Sequence, residues 1–216
     1  MKTDAAFTLQ DQAYQTLRQG LMLGRWLPGE RLKIHTLARE MGMGSMAVRT
    51  ALQRLVAEKA LVNVPNCGVS VPQLGKAEFD DILATRILLE GEAARQGALK
   101  LDDDAKAALA ALVRQMDEAI AQGDIKAYLD ANETFHLTLY LAAGSPMLMT
   151  LIETVWLYVG PISNRLHQDA AVWATMNAAH SALLAALLQN DADGVAHAIA
   201  EDLRQAGAYL RGLCQD

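Results

Sequence analysis

Apolar residues recur with a helical period along most of this chain. Leu9, Ala13, Leu17 and Leu21 fall every four residues, so 9–23 is predicted to be a first helix with one buried stripe. "GRWLPGERL" (24–32) ends it, with Pro28-Gly29 as a turn. In "IHTLAREM" (34–41), Ile34, Leu37, Ala38 and Met41 share one face and make a short second helix. Gly42 and Gly44 bracket a tight turn, and Ser45 reads as the N-cap of a third helix. In that helix Val48, Ala51, Leu52, Leu55 and Val56 face inward, leaving Ser45, Arg49 and Gln53 outward. The period then shortens: "LVNV" and "VSV" are strand-like on either side of a "PNCG" turn (65–68).

After "PQLGK" (72–76) the helical period returns and holds to the end. Helices are expected near 76–99, 103–122, 124–143, 146–166, 169–190 and 192–213, with Pro161 kinking or starting a segment within the fourth of these. Short breaks between six helices imply an antiparallel bundle. The predicted fold is therefore mainly α, an N-terminal winged helix-turn-helix followed by an all-α antiparallel helical bundle. The expected domains are 1–72 and 78–216, joined by a linker at 73–77.

Composition supports helices: only 5% of residues are aromatic, while Ala and Leu abound. The net charge of −6 argues against a nucleic-acid partner until it is divided. Residues 1–75 carry nine Lys/Arg against five Asp/Glu, whereas 76–216 carry ten against twenty. Such a split suggests an anionic partner for the first part. The two cysteines, Cys67 and Cys214, are too few and too far apart for a disulfide framework or a zinc finger, which points to a reducing cytoplasm. No apolar run reaches the length of a membrane span and no signal-peptide pattern opens the chain, so no membrane partner is expected.

A helix that follows a glycine turn and precedes a short hairpin suits DNA reading, because its first residues can enter the major groove. Here those residues are Ser45, Met46, Arg49 and Thr50. Arg49 can fork onto guanine or grip phosphate, Ser45 and Thr50 can bond phosphate, and Met46 can touch a thymine methyl. The wing turn Asn66-Cys67-Gly68 is short enough to approach the backbone or minor groove. The plainer reading is a solvated helix face beside an ordinary hairpin.

"GRWLPGERL", "LAREMG" and "SMAVRTALQRLVAEKAL" together resemble the DNA-binding domain of the GntR family of bacterial transcription regulators. "ATRILLEGEAA" (84–94), "NETFHLTLYLAAGSPML" (132–148) and "HSALLAALLQND" (180–191) resemble the FadR-type C-terminal ligand-binding (FCD) domain. The resemblance spans nearly the whole chain. It departs from the family pattern at Ala47, where Pro is usual, and at Thr50, where an acidic residue is usual. His35 and Ser45 stand where many members offer arginine, and both are kept as DNA-facing positions.

Polar residues on apolar stripes form a second group. Asn132 and His136 are one turn apart on a face shared with Tyr128, Phe135 and Leu139. His180 lies on a stripe with Met176, Leu183 and Leu187, Asp202 with Val195, Ile199 and Ala206, and Arg86 with Phe79, Ile82 and Leu89. Buried charge is costly unless paired or metal-bound, so these five groups from four helices are expected to converge on one polar cavity. Imidazoles and a carboxylate suit Zn²⁺, Ni²⁺ or Mn²⁺, while each His taken alone reads as a hydrogen-bonded core residue. The resemblance implies a metal site: Asn132, His136 and His180 match family ligands, and Asp202 stands where a final His is expected. Arg86, Asn164 and Arg165 are candidates to bind an effector, although Arg86 also lies at i+4 spacing for a pair with Glu90. His197 falls about 140° around an ideal helix from Asp202 and should face solvent. His167 sits at a helix end. Cys67 reads either as a redox switch or as incidental.

The resemblance implies a ligand-responsive regulator of a metabolic operon, repression being the commoner mode of the family, and a homodimer is expected because one recognition helix reads only a half-site. Its expected effector is a small carboxylate bound beside a divalent metal. One rival is a metal-dependent hydrolase with two His and a carboxylate around the metal. Another is a sequence-nonspecific architectural protein, for which the net +4 of residues 1–75 is small.

Overall fold

The computed structural model describes residues 8–65, 67–163, 165–166 and 170–216; for 170–176 it describes the backbone alone. Contacts divide the chain into two units. One comprises residues 1–75, 156–164 and 215–216, the other 76–155 and 165–214.

In the first unit, α1 (Leu9–Met22) opens on a reciprocal cap between Thr8 and Asp11. α2 (Ile34–Met41) ends at Gly42, whose φ of 63° is the left-handed conformation that glycine adopts without strain. α3 (Ser45–Ala57) then begins. Its N-cap is Gly44, without a side-chain hydrogen bond, and Ser45 is the first helical residue. The N-cap expected at Ser45 thus moves back by one, because Gly44 already has the extended backbone of a cap. β1 (Val62–Val64) and β2 (Gly68–Ser70) pair antiparallel, with Val62 opposite Ser70 and Val64 opposite Gly68. Residues 29–32 extend this wing: Leu32 N–H donates to Val69 O and Val71 N–H to Glu30 O.

The unit's core is built from the predicted stripes. Ala13, Leu17 and Leu21 of α1 pack with Leu37 of α2 and with Val48, Ala51, Leu52 and Leu55 of α3. Trp26 and Leu157 complete it, and Tyr158 donates its hydroxyl to Glu58 O at 2.8 Å. The helices and wing of residues 8–71 form the winged helix-turn-helix expected from the sequence.

In the second unit the helices are α4 (Lys76–Ala98), α5 (Asp103–Gln122), α6 (Ile125–Ala142), α8 (Ala170–Leu188) and α9 (Ala192–Arg211). α7 (Pro146–Ser163) contributes its residues up to Val155, and it runs through Pro161 as one helix. The polar breaks read from the sequence work as caps. Asp102, Asp124 and Asp191 each accept a backbone N–H three residues on, a bond worth about 1 kcal/mol. Helix ends fall up to three residues inside the expected limits. α8, for one, stops at Leu188 because Asn190 turns to a φ of 57°. α4 packs on α6 and α9, α5 on α6 and α8, and α8 on α9. At Gly97 the approach of α4 to α6 is so close that a Cβ would run into the Leu139 carbonyl.

Candidate functional site

The first unit presents a basic face. On α3 the periodicity buries Ala47, Val48, Ala51 and Leu52, which leaves Met46, Arg49, Thr50 and Gln53 exposed and Ser45 half-buried. Met46 is 71% exposed, comparable to Leu88 and Met147 elsewhere in the chain, so its side chain is accessible at the start of α3. The Thr50 hydroxyl donates to Met46 O at 3.1 Å, so a phosphate bond from it requires that contact to open. Beside α3 lies a cleft of about 290 Å³ whose lining includes Arg31, Lys33, His35, Arg49, Asn63 and Gly68. Arg31 is fixed there: its Nε donates to the Cys67 carbonyl at 2.8 Å, and its Nη2 donates to the same oxygen. The sequence reading found Arg49, His35 and Gly68 but missed Arg31, Lys33 and Asn63. The signal for the first two was present in "ERLKIH", where alternating basic residues in an extended segment share one side. Asn66 lies outside the described residues, and Cys67 is an exposed free cysteine.

The second unit contains a buried polar cluster. α6 supplies His136, α8 His180 and α9 Asp202, and one ligand-capable atom from each lies within 4.8 Å of the others. His180 Nε2 is 3.2 Å from His136 Nε2, which is 3.6 Å from Asp202 Oδ2. Phe135, fully buried, meets both imidazoles edge-on, with centroids 5.6 Å from His136 and 5.3 Å from His180. Asn132 stands one turn before His136 and is half-buried. Behind His136 runs a chain of bonds: His136 Nδ1 to the Tyr140 hydroxyl at 3.1 Å, and that hydroxyl to Glu90 Oε2 at 3.1 Å. Arg86 Nε donates to Glu90 Oε1 at 2.6 Å.

Electrostatics follow from burial. Desolvation, the neighbouring His180 and the Arg86 charge hold the His136 imidazole well below its usual proton affinity, so it is neutral at pH 7. Desolvation raises the Asp202 carboxyl, opposed by His180 and Arg86. Among the described residues, His180 Nδ1 and Asp202 Oδ1 are buried without a hydrogen-bond partner. Such groups cost free energy unless something absent from the chain itself satisfies them.

Of the polar groups expected to converge, His136, His180 and Asp202 meet directly and Arg86 reaches the cluster through Glu90 and Tyr140. Arg86 is engaged by the i+4 pair with Glu90 that its spacing allowed. Arg165 is half-buried and has no hydrogen bond to the cluster among the described residues, while Asn164 and His167 lie outside them. His197 is exposed, as its helical angle implied. Tyr140 was missed by the sequence reading; its i+4 spacing from His136 was the available signal.

Comparison with known proteins fits both units. Residues 9–71 match the family of bacterial regulatory proteins named gntR, and residues 81–205 match the FCD domain. The chain is 32% identical over 201 residues to the HTH-type transcriptional regulator McbR of Escherichia coli (strain K12), covering 92% of this chain and 91% of that one. The solved structure of E. coli McbR/YncC has a TM-score of 0.86 and covers 95% of this chain and 98% of its own. The HTH-type transcriptional repressor GlaR of E. coli (strain K12) is 24% identical over 147 residues, 66% of this chain and 67% of that one. A transcriptional regulator GntR from Rhodococcus sp. RHA1, 18% identical with a TM-score of 0.76 over 95% of this chain and 99% of that one, shares the fold. These relatives are regulators of transcription, and none supports a hydrolase. The chain belongs to the GntR family of DNA-binding transcription regulators, with an FCD domain following its winged helix-turn-helix.

Proposed function

We propose that this regulator is a homodimeric, metal-containing repressor whose DNA affinity is set by a small carboxylate. Residues 1–72 act as the DNA-binding domain, 73–77 as a linker, and 78–216 as the effector and dimerisation domain. Each protomer reads one half-site of a double-stranded operator in the cytoplasm, where bacterial DNA lies. Ser45, Met46, Arg49 and Thr50 enter the major groove, with His35, Asn66 and Gly68 on the flanking backbone. The exposed Met46 and the basic cleft around Arg49 support this face.

One observation carries the metal reading: two imidazoles and a carboxylate meet in a buried cluster with two unpartnered polar atoms. The donors fit a first-row divalent cation. Bonds of about 2.1 Å around a tetrahedral or octahedral ion separate adjacent donors by roughly 3.0–3.4 Å. The His136–His180 separation of 3.2 Å lies in that range, the His136–Asp202 separation of 3.6 Å lies just above it, and all three donor atoms are within 4.8 Å of one another. Asn132, His136, His180 and Asp202 would hold Zn²⁺, Ni²⁺ or Mn²⁺. Such an ion would supply a Lewis-acidic anchor for a carboxylate oxygen, and Arg86, Arg165 and Asn164 would receive the rest of the effector. Binding shifts operator affinity only through different affinity for DNA-competent and incompetent arrangements; a coupling of about 1–3 kcal/mol is some 5–150-fold.

The test joins two measurements. Metal analysis of protein purified without chelators or nickel resin should give close to one divalent ion per protomer. Titration with mono- and dicarboxylates should then change operator affinity in wild type, and change it less in Arg86→Ala. An ion-free protein whose melting is unmoved by Zn²⁺ or Ni²⁺ would refute the metal centre. An acid that acts equally on wild type and Arg86→Ala would place the effector elsewhere.

A further inference from the structure

The bonds behind His136 ask what a buried Tyr–Glu–Arg chain does in a helical core. Glu90 is 2% exposed and the fully buried Tyr140 reaches it from α6. A polar chain at such depth contributes less to stability than apolar packing of the same volume, so its presence asks for another role. We propose that Glu90 and Tyr140 are positioning residues that fix the tautomer of His136, leaving its Nε2 unprotonated towards His180 and Asp202. The inference rests on reading the cluster as a metal centre.

A carboxylate paired with a guanidinium only accepts, and Arg86 bonds Glu90 with Nε at 2.6 Å and Nη2 at 3.3 Å. The single hydroxyl hydrogen of Tyr140 is therefore donated to Glu90. Towards His136 the Tyr140 oxygen can only accept, so the proton of the neutral imidazole sits on Nδ1. Nε2 is left unprotonated: in the metal-free protein it accepts from the His180 Nε2–H at 3.2 Å, and it lies 3.6 Å from Asp202 Oδ2, so its lone pair points into the cluster. The opposite polarity would put the proton on Nε2, where a cation could not bind. The Glu90 charge, relayed through Tyr140, also makes His136 a better donor to a metal. The three relay residues come from two helices, with Arg86 and Glu90 on α4 and Tyr140 on α6, so the packing of that helix pair sets the direction of the ligand.

Tyr140→Phe removes the relay oxygen and little volume. Zn²⁺ is titrated calorimetrically into metal-stripped full-length wild type and Tyr140→Phe, and ¹⁵N-histidine spectra of both metal-free proteins report the His136 tautomer. Wild type should show the Nδ1–H form. Tyr140→Phe should gain the Nε2–H form and bind Zn²⁺ about 10–100-fold more weakly, the usual cost of losing an outer partner. Should Tyr140→Phe not fold, Glu90→Gln serves. Its amide can donate to Tyr140, which then donates to His136 and drives the same change of tautomer. Wild-type Zn²⁺ affinity with an unchanged Nδ1–H signal in the variant would overturn the inference and leave the metal centre standing. Failure of wild type to take up Zn²⁺ would instead refute the metal centre, and with it the positioning role.

Discussion

Replacing Arg49 by alanine separates DNA reading from folding. The side chain is exposed on α3, and among the described residues no hydrogen bond or ion pair holds it. Its loss should therefore change stability by no more than about 0.5 kcal/mol, the usual range for a surface position. On DNA the balance differs. A forked contact to guanine contributes about 1–3 kcal/mol, and a dimer makes it twice, so about 2–6 kcal/mol is at stake. At 1.36 kcal/mol per decade that is roughly 30-fold to more than 10⁴-fold in operator affinity. Fluorescence anisotropy with an operator fragment and a scrambled fragment of equal length, at several salt concentrations, measures it, with circular dichroism as the control for folding. Loss on the operator alone identifies a base contact. An equal loss on both fragments, with a shallower salt dependence, identifies a phosphate contact. Unchanged operator affinity would refute the placement of α3 in the groove.

Three further outcomes follow from the second unit. His136→Ala should abolish the stabilisation by Zn²⁺ that wild type gains, about 2.7 kcal/mol at a hundredfold excess over Kd, as read by differential scanning fluorimetry. In metal-free protein, burial keeps His136 neutral at pH values where the unfolded chain is protonated. Its contribution is thus complete above the ordinary histidine range near pH 6.5 and is lost as pH falls below it, whereas the raised Asp202 carboxyl acts in the opposite sense and favours the folded state on acidification. Urea unfolding at pH 8 and pH 5.5 checks the sign, and greater stability at pH 5.5 would contradict it. Gly97→Ala, which drives a methyl into the Leu139 carbonyl, should cost about 1–3 kcal/mol in the same assay.

Helix order and the winged element were legible because their apolar stripes are regular: Leu17, Leu21, Val48, Leu52 and Leu55 are all buried where the period puts them. The inward faces of His136, His180 and Asp202 were legible in the same way, as polar interruptions of stripes. Tyr140 was not, since a tyrosine on a buried stripe reads as core until its hydroxyl is seen to find Glu90. Glu90 was visible only as a helix-surface partner for Arg86, because α4 carries small residues, Gly91, Ala93 and Ala94, on the side that is buried. Arg31 and Lys33 escaped because their alternation falls in the stretch after Pro28-Gly29, which reads only as a turn and helix stop until its pairing with the wing is seen. The cap at Gly44 escaped because a serine beside it has the better cap chemistry, and backbone conformation decided the matter.

The closeness of α4 to α6 at Gly97 limits how the effector domain can respond to a ligand. Helices separated by layers of side chains can slide past one another by small rotamer changes, the shear mode of conformational change. At Gly97 there is no such layer: helix backbone lies against the Leu139 carbonyl, and an axial slip of one turn would bring the Cβ of Ala93 or Ala94, on the same buried face, against it. α4 and α6 are in effect keyed together. A ligand at the cluster, whose polar relay bridges this same pair, would move them as one rigid lever, with the displacement taken up at the ends of the pair.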